Sequence, residues 1–285
     1  MPVPIPSRPA LYACAVLATL SVAPAARAED DQPFITLHTT ELEEPGEAEL
    51  ENWLFFRSGH AQEAFADFEN RNEFEYGIAE NWQGSLYLNT EWSRVRPHVP
   101  QGPAQVVNDV SVAGELIWRA LDVDSAPVGL AFYLEPQIGT QARSVEAKIL
   151  LQKNFFSNRL RAVINIIGQD EWEHEPAGGF KEGSELEFNA GLAWRINSCW
   201  NLALEFGNER EFTGEILGTT GRPVASSFYL GPTLQYSADP FEITLSVQSQ
   251  LPIAGNPTRV PGSVVDGFTA DAERWRMALR ITSDL

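Results

Sequence analysis

The chain has 285 residues, 44% of them hydrophobic, and sets 39 acids against 20 lysines and arginines for a formal charge of −19. Such an acidic chain is a poor partner for nucleic acid, and two cysteines do not make a disulfide-stapled scaffold. Beyond residue 28 no apolar run reaches the roughly 18 residues that a membrane helix needs.

Residues 1–28 read as a cleavable signal peptide: Arg8 precedes an apolar run from Leu11 to Val22, and Ala26-Arg27-Ala28 is a small-residue cleavage site. Cutting after Ala28 leaves 18 bases and 39 acids, a charge of −21 on 257 residues. Cys14 leaves with the signal, so Cys199 has no partner for an intrachain disulfide and reads as a small buried or turn residue rather than a nucleophile. Residues 29–46 are polar and contain proline. They are expected to be a disordered periplasmic tail, with folding into a barrel lumen as the alternative. The domain layout is then signal 1–28, N-terminal segment 29–46 and β domain 47–285.

From Asp67 to Ile78, residues Phe68, Phe74, Tyr76 and Ile78 share one parity while Asp67, Glu69, Arg71, Glu73 and Glu75 share the other. Period two with one oily and one charged face defines a strand. Trp82 to Trp92 repeats the pattern over eleven residues, long for a soluble strand. Further strands are expected near 47–56, 108–119, 128–136, 144–155, 160–170, 184–196, 200–209, 227–236, 241–251 and 272–282, making twelve. Connections alternate between short ones, such as 79–81 and 197–199, and long ones at 57–65, 95–107, 171–183, 210–226 and 252–271. Aromatic residues of the oily parity, among them Trp82, Trp92, Trp118, Trp194, Trp200 and Trp275, fall near strand ends.

These features predict an all-β fold, a closed antiparallel transmembrane β-barrel of about twelve strands, with short periplasmic turns, longer external loops and two aromatic girdles. The competing reading is a secreted β-sandwich or lipocalin-like barrel with the oily face inward. Hydrocarbon leaves no water to satisfy a free sheet edge, so a sheet that spans it must close.

The stretch ELEEPGEAELENWLFFR, Glu41 to Arg57, followed by many girdled hairpins, resembles a poorly characterised family of outer-membrane β-barrels assigned to transport, some encoded beside aromatic-degradation genes. The resemblance implies a membrane barrel and a transport role and carries over no site residues. Such barrels often end in an aromatic residue; this chain ends in Leu285, on the parity of Trp275, Met277, Leu279 and Ile281.

The parity opposite the oily face holds 16 acids and eight bases, an excess that favours cations in an aqueous path. Candidate lumen-lining residues are Glu69, Glu73, Glu91, Glu115, Glu135, Glu187 and Glu205. The first and last strands must pair, and Glu47, Glu49 and Glu51 are expected to face Arg276 and Arg280 across that seam, with Arg280 near Glu47 and Glu49 and Arg276 near Glu51. A lumen plugged by paired Glu and Arg is the alternative to an open one, since eight strands are filled and sixteen leave a channel.

Four histidines occur: His38, His60, His98 and His174. The run Asp170 to Glu175 surrounds His174 with carboxylates, but it reads as a solvated acidic loop rather than a metal or acid–base site. No catalytic motif, cofactor motif or metal-ligand spacing is present. The expectation is a non-enzymatic outer-membrane pore or small-solute transporter, passive and mildly cation-selective, without cofactor or metal. Its partners would be lipid, the barrel-assembly machinery and small solutes. The alternative is a non-conducting structural or loop-presenting barrel.

Overall fold

The computed structural model describes residues 32–97, 103–175, 178–215, 222–255 and 264–285. The signal segment and its cleavage site lie outside them, as does His98. Alternation of apolar and polar residues produces twelve long strands: β1 (Ala48–Ser58), β2 (Glu63–Ala79), β3 (Trp82–Pro97), β4 (Gln105–Leu121), β5 (Gly129–Gly139), β6 (Ala142–Phe155), β7 (Leu160–His174), β8 (Phe180–Arg195), β9 (Trp200–Thr213), β10 (Arg222–Ala238), β11 (Phe241–Gln250) and, after a short hairpin, β14 (Trp275–Asp284). The hairpin joins β12 (Val264–Val265) to β13 (Phe268–Thr269) inside the longest connection. Each barrel strand pairs antiparallel with its sequence neighbour, and β1 pairs with β14 to close the sheet.

On β3, Leu86 is 67% exposed on the outside while Gln83 is 4% exposed on the inside. Outward-facing Leu88, Val112, Ile138, Leu192 and Leu245 extend this apolar surface around the barrel, the surface that a closed sheet offers to hydrocarbon. Aromatic residues rim it. Trp82 stacks on Trp118 and Trp118 on Phe132, at 6.0 and 5.7 Å between centroids, and Trp200 meets Tyr236 at 4.8 Å. Toward the other end Phe56, Phe68 and Trp92 line up as cross-strand partners.

Strands reach further than the sequence suggested, so the long loops shrink. β1 and β2 are separated by residues 59–62 alone, and β5 and β6 by 140–141. The run Asp170–His174 is strand rather than loop, with His174 paired to Phe180. Nothing in hydrophobic alternation marks where a strand leaves the bilayer, because hydrogen-bonded pairing continues past the apolar band.

The segment 32–46 is not a tail below the barrel. It turns at Gly46, which has φ +94°, and enters the lumen from the end where β1 begins and β14 finishes. Phe34 and Leu37 pack with Val163, Ala193 and Ala203, while Leu42 packs with Ile117, Ala131, Tyr133 and Leu150. The wall is shaped for this contact: a Cβ at Gly191 would overlap Leu37 and Phe34, and one at Gly77 would overlap the backbone of Glu43 and Glu44. The buried core of this protein therefore lies in the terminal half of the lumen, between plug and wall.

Candidate functional site

The plug is held by inward-facing polar side chains from strands far away in sequence. Glu205, at 0% exposure, accepts hydrogen bonds from Ile35 N–H (3.1 Å), Thr36 N–H (2.7 Å) and Thr36 Oγ1 (2.6 Å), and also from Thr233 Oγ1. Asn165 makes a reciprocal pair with the backbone of His38, accepting from its N–H at 2.7 Å and donating to its carbonyl at 2.9 Å. Gln152 and Gln83 each accept at 2.8 Å, from Thr40 N–H and Glu43 N–H, and Arg161 pairs with Glu41 at 2.9 Å. An extended segment with no sheet partner thus has much of its backbone satisfied by wall side chains.

His38 lies between plug and wall. Lys148 Nζ donates to its Nε2 at 3.1 Å, and its ring meets Tyr133 at 5.1 Å. Burial first, then the positive charges of Lys148, Arg71 and Arg280, hold the imidazole well below its ordinary pKa of 6.5.

Above the plug the lumen opens into a cup of about 540 Å³, floored by Ile35, Thr36 and His38. Its wall carries nine carboxylates: Glu69, Glu91, Asp109, Glu135, Glu146, Glu171, Glu185, Glu187 and Glu209; the bases are Arg57, Arg71, Lys148 and Arg276. Every base is engaged. Arg57 binds Glu69 at 2.6 Å, Lys148 binds Glu146 at 2.9 Å, and Arg276 binds both oxygens of Glu209 and Glu273 besides. At the rim, burial would raise the Glu273 carboxyl, but the Arg276 and Arg57 guanidinium groups outweigh it and hold it below the usual range.

Among the expected lumen residues, Glu69, Glu91, Glu135 and Glu187 line this cup. Glu73, Glu115 and Glu205 face inward but do not reach it: Glu73 lies beside Glu51 and Glu75, and Glu115 receives hydrogen bonds from Tyr87 and Ser85. Arg57, Asp109 and Glu171 join the cup, although hydrophobic alternation alone places residues 57 and 171 in the connections 57–65 and 171–183. Their inward parity was visible; the extent of their strands was not.

The seam closes with a different register. Arg280 lies opposite Trp53 and pairs with Glu51 at 3.4 Å. Arg276 lies opposite Arg57 and turns across the lumen to Glu209. Glu49 is opposite Asp284, and Glu47 precedes β1. The expected ladder assumed level strands, whereas the strands of a tilted barrel are staggered.

A closed twelve-stranded barrel with an apolar band, aromatic rims and a polar interior is the architecture of outer-membrane barrels. The chain belongs to the family of unknown function DUF6662, whose members it matches over residues 26–275. No curated protein matches it. In fold it is similar to the COG4313 outer-membrane channel from Pseudomonas putida F1, at 10% identity, 88% of this chain, 100% of that one and a TM-score of 0.59. The β domain of the Bordetella autotransporter BrkA follows, at 9% identity, 85% and 100% coverage and a TM-score of 0.54. The NanC porin gives 12% identity, 83% and 100% coverage and a TM-score of 0.52. At these identities the likeness is one of fold.

Proposed function

We propose that this protein is a non-enzymatic outer-membrane pore for small solutes, closed at its periplasmic end by its own residues 32–46 and mildly selective for cations. The observation that carries the reading is the cup: an acid-rich vestibule ending on a plug rather than on a continuous side-chain core. Its walls suit a charged solute better than an apolar ring, so the aromatic-degradation link of the resembling family supplies no substrate. Export by the signal peptide and insertion by the barrel-assembly machinery would bring the apolar band to outer-membrane lipid.

Opening is energetically reasonable. Burying Phe34, Ile35, Leu37 and Leu42 contributes about 2 kcal/mol each, and the plug's hydrogen bonds to the wall about 1 kcal/mol each, roughly 15–20 kcal/mol in all. Ordering the backbone of residues 32–46 costs about 1 kcal/mol per residue or more, so the two sides nearly cancel. The wall behind the plug, with Asn165, Gln152, Gln83 and Glu205, can be hydrated when the plug leaves.

Planar-bilayer recording tests this. The full mature chain should conduct rarely, and a variant lacking residues 32–43 should conduct steadily, with a reversal potential that shows cation preference and fades in high salt. A folded deletion variant that stays closed refutes the pore in favour of a structural barrel, the reading that the dense anchoring of the plug favours. Anion preference would refute the role of the cup acids.

A further inference from the structure

Among the described residues the lipid-facing surface is apolar at mid-depth except at one place. The outward positions of β1 run Leu50, Asn52, Leu54 and Phe56, and those of β2 run Phe68, Asn70, Asn72 and Phe74. The register sets Asn52 beside Asn72 and Leu54 beside Asn70. Asn72 stands four residues from Phe68 and four from Tyr76, midway across the band. Thr90, the cross-strand partner of Asn70 on β3, adds an exposed hydroxyl. On the far flank the outward side chains are Ile164, Ile166, Leu192, Leu202 and Leu204.

The three amides bond to one another and to nearby backbone without saturating themselves. Asn52 Nδ2 donates to Asn72 Oδ1 at 2.9 Å and to the Arg71 carbonyl at 3.5 Å, Asn72 Nδ2 donates to Asn70 Oδ1 at 2.9 Å, and Asn70 Nδ2 donates to the Trp53 carbonyl at 3.0 Å. Each side-chain amide brings two N–H groups and one carbonyl oxygen. One N–H of Asn70, one of Asn72 and the oxygen of Asn52 are therefore left over, on a surface where acyl chains offer no hydrogen bond. Lipid headgroups lie at the aromatic rims and do not reach this depth. What covers the cluster has to bring polar groups of its own to the middle of the bilayer.

We propose that this β1–β2 face is the contact of a homodimer, covered by the same face of a second copy. Two barrels inserted in the same sense are related by an axis along the membrane normal, so each residue near that axis meets its own counterpart at its own depth. The asparagine cluster then meets the asparagine cluster. An amide is both donor and acceptor, so it is complementary to itself across a twofold axis. A ring of three or more copies is heterologous and needs a second polar face for the first to meet, and the far flank of the described band is apolar. The contact lies outside the barrel, so it stands or falls separately from the pore.

The test counts chains in a bilayer. The full mature chain carries one dye on Cys199, the one cysteine of residues 29–285 and a turn residue between β8 and β9, across the barrel from β1 and β2. It is reconstituted into liposomes at increasing lipid dilution, and photobleaching steps are counted against chance co-occupancy. Two steps are expected. Asn72→Leu should weaken association about tenfold, and Asn52→Leu, Asn70→Leu and Asn72→Leu together about a hundredfold. These changes make the outside more apolar, so the barrel should still fold, which heat-modifiable gel migration checks. Asn72→Gln keeps an amide and should keep the dimer, and Leu192→Ala on the far flank should leave it unchanged. A monomeric wild type, undiminished association of the triple variant, or three or more steps overturns the proposal. A photo-crosslinking residue at position 54 in intact cells should give an adduct of twice the chain's mass, whereas adducts with lipid alone or with a protein of another mass overturn it.

Discussion

Glu205 is the position where one side chain should control whether the lumen is open. Three of its four hydrogen bonds go to the plug, from Ile35 N–H, Thr36 N–H and Thr36 Oγ1. Bonds to a charged acceptor contribute about 1.5–3 kcal/mol each, so Glu205→Ala removes at least about 4 kcal/mol of docking. Water entering the vacated space re-solvates the two backbone donors and returns about half. The remaining loss of about 2 kcal/mol corresponds to a roughly thirtyfold rise in the open-to-closed ratio. Barrel pairing involves backbone groups of β9 with β8 and β10 and should survive. Single-channel recording reads the open probability directly, and reaction of a cysteine at Leu37 with a small maleimide reports undocking independently. An unchanged open probability together with an unchanged labelling rate, in a folded Glu205→Ala barrel, would refute the plug as gate.

His38 makes the plug pH-sensitive in a definite direction. Its docked pKa is depressed, so docking is unpenalised above about 6.5 and weakens as pH falls from there toward the lower docked value, by up to tenfold per pH unit. Lys148, Arg71 and Arg280 face it, with Tyr133 against its ring and Glu146 beyond Lys148; His38→Gln should flatten the rise in open probability between pH 7 and 5, and a fall on acidification would contradict this. Leu245 is half-exposed on the outer face, and arginine there should cost about 2–4 kcal/mol of barrel stability near mid-bilayer. Gln169→Arg in the cup should cost far less, and equal costs in denaturant titration would point to a soluble barrel; Thr244 and Ser246 are unsuitable comparisons, being buried under the plug. Cys199 sits in the turn between β8 and β9 at the plugged end, and Gln141 in the turn between β5 and β6 at the other. An impermeant maleimide on intact cells should label Gln141→Cys and spare Cys199, and the opposite pattern would invert the barrel.

The barrel was legible because lipid imposes one rule on every strand. With hydrocarbon outside and polar groups inside, the pattern around Leu86, Leu88 and Trp92 on β3 recurs on β4, β8 and β11, and each copy reports the same geometry. Twelve such segments and a closed edge follow from alternation and pairing alone. Register across the seam does not. The offset that sets Arg280 against Trp53 instead of Glu47 or Glu49 is a property of strand tilt and stagger summed around the whole sheet, and no local pair of residues encodes it.

The plug was legible only as the alternative to a tail, and for a different reason. Its side-chain partners on the wall lie 40 to 248 positions away, from Gln83 to Arg280, and an extended segment bound by side chains has neither the period of a strand nor that of a helix. The available signal was Phe34, Ile35, Leu37 and Leu42 in an otherwise polar stretch, too many large apolar groups to leave solvated at about 2 kcal/mol each. The wall held the matching signal in Gly191 and Gly77, where strands gave up a side chain to let a second backbone approach. Parity could say that Glu205 faces inward, as Glu187 and Glu209 do, but not that it meets the plug while they meet the cup. That difference decides its chemistry. On the proposed reading the excess of carboxylates over bases in the cup attracts a cation, whereas Glu205, saturated by four hydrogen bonds, is a latch whose affinity for the plug would set how often the cup leads anywhere.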